Sequence, residues 1–101
     1  MIKMIAGYAT SKHLLEDRSD RLISIATTVG FGEIIHKRKL EAESAWAVFT
    51  DTGVMLVTDI HDSFIVTMYL VSIKQASAIF HGEIPGDLFE VIKRNQKKGL
   101  C

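Results

Sequence analysis

The chain has 101 residues, with 12 Lys plus Arg against 12 Asp plus Glu and a formal net charge of zero. That length holds one hydrophobic core, so a single domain over residues 1–101 is expected. With 48% hydrophobic and 24% charged residues, the composition excludes a disordered tail, a coiled coil and a chain that coats nucleic acid by bulk positive charge.

Residues Met1 to Thr10 carry one Lys and a few apolar side chains before the polar run Ser11 to Asp20. This stretch is too short for a signal peptide, and no window approaches the roughly 18 apolar residues of a membrane helix. Cys101 is the only cysteine, so no internal disulfide can form and packing has to hold the domain together, as suits a reducing cytosol. The expectation is a cytoplasmic protein with no membrane contact.

Ser11 to Val29 reads as a long amphipathic helix. Thr10 or Ser11 is placed to cap it and Gly30 to stop it, while Leu15, Leu22, Ile25, Ala26 and Val29 follow the helical period on the core side. Strand texture follows from Gly32 to Val71. Glu33 to Leu40 alternates weakly and contains the run His36, Lys37, Arg38, Lys39, and Glu41 to Ser44 is a polar break. In Ala45 to Thr50, Trp46 and Val48 share one face while Ala47 and Phe49 share the other. Asp51-Thr52-Gly53 is a tight turn into Val54 to Thr58. Asp59 to Ser63 is a polar connection, and Phe64 to Val71 is so nearly apolar that it belongs in the sheet interior. Short connections make neighbouring strands antiparallel.

Two shorter helices close the chain. Ser72 with Gln75 has capping-box spacing ahead of a segment that runs to Phe80 and ends at Gly82. Asp87 with Glu90 repeats that spacing after Pro85-Gly86, and Leu88, Val91 and Ile92 form the buried stripe of a helix ending in Lys93, Arg94, Lys97 and Lys98. The fold class expected is α+β: a long N-terminal helix packed on an antiparallel meander of three or four strands, followed by two short C-terminal helices.

Few motifs carry chemistry. Gly30-Phe31-Gly32 lacks the third Gly and the preceding strand of a phosphate loop, and no Cys pair exists to hold zinc. Asp59-Ile60-His61-Asp62 has metal-capable side chains but also the composition of an ordinary turn. No cofactor and no metal are expected. His13 stands in the first turn of the expected helix beside Lys12, with Asp17 one turn on, where the helix dipole favours the neutral imidazole that a general base requires. Thr67 and Tyr69 place two hydroxyls on one face of an apolar strand, together with Ile65 and Val71. Seven of the twelve basic residues fall in two short runs, at 36–39 and 93–98, so a neutral chain could still present a local basic face to RNA or DNA.

Ser11-Lys12-His13 followed by Glu16-Asp17-Arg18 and Arg21, with a late strand reading Ile65-Val66-Thr67-Met68-Tyr69, resembles the RelE/barnase/colicin D-like ribonuclease-toxin superfamily. The resemblance spans residues 8 to 71. It implies metal-independent cleavage of RNA (tRNA or mRNA), in which the ribose 2′-hydroxyl attacks its own phosphate. On that resemblance His13 is the general base or acid and Lys12, Arg21 and Arg38 stabilise the phosphate. His36 and Lys37 stand beside Arg38 as substrate-binding groups, and Thr67 and Tyr69 contact the substrate. The neutral charge and the Glu16, Asp17, Asp20 cluster depart from the pattern. The alternative is a non-catalytic protein-binding module or inhibitor, of the kind a phage or mobile element encodes, that docks on a larger partner. A homodimer joined through the sheet face or the last helix is compatible with either.

Overall fold

A computed structural model describes residues 4–5, 7–11 and 19–100. The segments rich in β-branched and aromatic residues form a sheet. Its strands are the two-residue β1 (Met4–Ile5), then β2 (Tyr8–Thr10), β3 (Ile34–Leu40), β4 (Ala45–Thr50), β5 (Val54–Thr58) and β6 (Phe64–Leu70). The helices are α1 (Ser19–Thr28), α2 (Ile73–Ile79) and α3 (Gly86–Lys97), and Glu41–Glu43 makes one 3-10 turn between β3 and β4. The fold is α+β, with a mixed sheet in the order β1-β2-β6-β5-β4-β3.

β3 to β6 form the antiparallel meander that their short connections require. The N-terminal residues change the rest of the topology. β1 and β2 make an antiparallel hairpin, and β2 lies parallel to β6, pairing Ala9 with Phe64 and Thr10 with Ile65. The sheet is therefore mixed, not the purely antiparallel meander expected. The same pairing corrects the helix. Thr10 is in a strand and the Ser11 amide donates to the Ile65 carbonyl at 2.9 Å, so the pairing with β6 runs through both residues. Among the described residues the N-terminal helix runs from Ser19 to Thr28, ten residues, instead of the long helix expected from Ser11. Lys12 and His13 lie outside the described residues.

Strand alternation sends side chains into two layers. On one face α1 covers a cluster of Ile25, Val48, Val54, Leu56, Ile65 and Met68, all buried. On the other, α2 and α3 cover Ala47, Phe49, Met55 and Val71 with Ala76, Phe80, Leu88 and Ile92. Trp46 and Val48 thus oppose Ala47 and Phe49, as their spacing dictates. In β6 the alternation is interrupted, because register shifts between Val57 and Thr58: Thr67 faces Val57, whereas Ile65 faces Thr58. This bulge returns Ile65 to the α1 side and leaves Thr67 and Tyr69 on the other, which separates Ile65 from the face it was expected to share.

The turns follow local chemistry. Gly30 ends α1 at φ +74° and its amide donates to the Ile25 carbonyl at 3.0 Å. Ser72 caps α2 in a complete capping box with Gln75. The second expected box does not form. Pro85 occupies the N-cap of α3, so Asp87 falls inside the first turn, where its negative charge suits the helix dipole.

Candidate functional site

The basic run of β3 is split by its own strand. Pleating places His36 and Arg38 on the α2–α3 side of the sheet and Lys37 on the other, and each finds a partner there. His36 Nε2 lies 2.8 Å from Asp87 Oδ1, and the Arg38 guanidinium carbon stands 5.3 Å from the Phe80 ring centre. Asp87 is held below the usual carboxylate range, mainly by the hydrogen bond with His36 and further by the Leu88 amide. Lys39 reaches Glu41 at 4.0 Å.

Lys37 crosses the α1 side of the sheet. Its ammonium pairs with Asp62 and stands 5.6 Å from the Trp46 ring centre and 5.7 Å from that of Tyr8. Asp62 also accepts from Thr58 Oγ1 at 2.9 Å and from the Tyr8 hydroxyl at 3.1 Å. Burial raises the Asp62 pKa, but the hydrogen bonds from Lys37, Thr58 and Tyr8 outweigh it and the net shift is downward. Lys37 is shifted upward, chiefly by Asp62 and then by Tyr8. Cation–π contacts at exposed sites are worth about 0.5–1 kcal/mol each, and exposed ion pairs about 0–1 kcal/mol. Lys37 is thus held by several weak contacts together.

Thr67 and Tyr69, singled out by sequence, are brought to a groove of about 890 Å³ between the sheet and α2. Its floor is Met55, Val57, Thr67 and Tyr69, and α2 supplies Ala78 and Ile79 as a wall. Glu41, Glu43 and Asp59 line the groove together with two basic side chains, Lys39 and His81. Asp59 accepts from the Phe64 amide at 3.0 Å and the Ser63 amide at 2.6 Å. The Phe64 amide lowers its pKa most, desolvation opposes it, and the Ser63 amide and two further amides carry the net shift below the ordinary 3.8. Asp59 therefore acts as a turn cap.

The described residues do not bring the sequence-derived site together. α1, which bears Arg21, covers the face of Ile65 and Met68, whereas Thr67 and Tyr69 line the groove on the opposite face. His36 and Arg38 share that groove's side of the sheet but engage Asp87 and Phe80. Lys37 is on the α1 side. Sequence reasoning missed Tyr8, because it sits in a three-residue strand whose partner is far away in the chain. Trp46 is half-buried, with Nε1 donating to the Ile60 carbonyl at 3.2 Å. Glu43 and Asp59 gave no signal beyond turn composition, since only the tertiary fold places them on one rim.

No protein-family model matches this chain, and no curated protein or solved structure matches it significantly.

Proposed function

We infer that this chain is a non-catalytic protein-binding module, and that its groove receives an apolar segment flanked by lysine or arginine from a larger partner. The observation that carries this reading is the groove itself: a largely apolar floor and wall edged by three carboxylates, one lysine and His81. Apolar grooves of this kind bury aliphatic and aromatic anchors, and rim charges select the partner and steer its approach. A phosphodiester would meet Glu41, Glu43 and Asp59 instead of a convergent basic surface, and the basic residues of β3 that would hold it are divided between two faces. That arrangement favours binding over RNA cleavage.

Selection from a random peptide library tests the reading. Enriched sequences are expected to combine two or three apolar residues with flanking Lys or Arg. Ile79→Asp should weaken such a peptide about tenfold or more by putting a charge into the wall. Glu43→Lys together with Asp59→Lys should shift the selected flanks away from basic residues. Enrichment of peptides without basic flanks, or indifference to Ile79→Asp in a folded variant, would overturn it. So would cleavage of RNA by the purified protein in EDTA that is lost in His13→Ala, because that result belongs to the ribonuclease reading.

A further inference from the structure

On the sheet face away from the groove, three groups converge on one ammonium. The rings of Trp46 in β4 and Tyr8 in β2 stand 5.6 and 5.7 Å from Lys37 Nζ, and the Asp62 carboxylate completes the enclosure from the β5–β6 connection. Each wall is anchored without help from Lys37. Trp46 Nε1 donates to the Ile60 carbonyl, the Tyr8 hydroxyl donates to Asp62 Oδ2, and Asp62 Oδ1 accepts from Thr58. Two aromatic rings with a carboxylate is the chemistry that recognises organic ammonium ions, by attraction to the ring quadrupoles and to the negative charge.

We propose that Tyr8, Trp46 and Asp62 form a binding site for an organic ammonium group, a quaternary amine or an alkylated lysine side chain, which Lys37 fills as an internal and displaceable occupant. Lys37 extends from the edge strand β3 on a flexible four-carbon stem and its side chain is 39% exposed. It can therefore swing into solvent without breaking a backbone hydrogen bond of the sheet. The site it leaves keeps its carboxylate and both rings. An incoming ammonium competes with a tethered one, so the intact protein binds weakly and removal of the tether opens the site.

Trp46 is the only tryptophan in the chain, so its fluorescence reports on the site directly. The probe is tetramethylammonium chloride, titrated at constant ionic strength into the wild type, Lys37→Ala, Lys37→Met and Lys37→Ala/Asp62→Asn. Both opened variants are expected to give a saturable change in Trp46 emission at concentrations about tenfold or more below those needed by the wild type. Adding Asp62→Asn should weaken that response by a similar factor. The proposal is overturned if neither opened variant responds while unfolding at the wild-type urea midpoint. It is equally overturned if the wild type responds as well as they do, or if Asp62→Asn leaves the response unchanged. Failure of both opened variants to fold would also overturn it, since an occupant the fold cannot lose is not displaceable.

Discussion

Gly53 shows how closely a single residue is specified. It turns β4 into β5 at φ +83°, and a Cβ there would collide with the Asn95 side-chain amide and lie 3.1 Å from Val91. The same amide donates to the Thr52 carbonyl at 3.1 Å, which ties α3 to the turn. Gly82 has almost the same φ, +84°, but open space around it. Gly82→Ala should therefore report backbone strain alone, about 1 kcal/mol, and Gly53→Ala about 2–3 kcal/mol because displacement of Asn95 is added. The difference between the two urea midpoints measures that packing. Asp62 is the second residue with a sharp expectation. Its pKa is lower in the folded chain than the ordinary 3.8, so its stabilisation is complete above that value and is lost as pH falls through the folded one. Asn tolerates the left-handed backbone found at this position, φ 54°. Asp62→Asn should thus cost about 1 kcal/mol at pH 7, with the gap from the wild type closing below about pH 4 in urea unfolding measured at both values.

Among the elements, those governed by local chemistry were legible in the sequence. β4 and β5 fall where alternation and the Asp51-Thr52-Gly53 turn put them, and the Ser72–Gln75 box opens α2. Ser72→Ala should cost about 1 kcal/mol by leaving the Gln75 amide without its acceptor, read as a lower urea midpoint with unchanged slope. What was not legible depended on distant partners. β1 and β2 are too short for a periodic signal, and it is pairing with each other and with β6 that makes Tyr8–Thr10 a strand. The Asp87–Glu90 spacing was present but misleading, because Pro85 had already taken the cap. Of the expected site, the shared face of Thr67 and Tyr69 was legible from period two. The groove they line was not, since its rim is assembled from the 3-10 turn and the β5–β6 connection. The charge run of β3 was the most deceptive feature. Adjacent residues in a strand point apart, so a cluster in sequence becomes two separate sets in space.

At the scale of the molecule, both faces of the sheet are covered at its middle and open at its margins. Val48, Val54, Leu56 and Met68 on one side and Phe49 and Met55 on the other are all buried. Amides of β4 and β5 in this double layer should exchange with solvent most slowly, at a rate set by global unfolding, while those of the outer strand β3 exchange through local opening. Hydrogen exchange resolved by residue would show the order. Faster exchange in β4 than in β3 would mean that the two layers do not act as one cooperative unit.

The parallel contact of β2 with β6 has a consequence for biosynthesis. Thr10 meets Ile65, so the two partners are about 55 residues apart and cannot pair until β6 has been made. The β1–β2 hairpin therefore joins the sheet last. Until β6 has emerged, the β1–β2 hairpin has no partner on its β6-facing side, and that edge waits open to chaperones and exposed to aggregation.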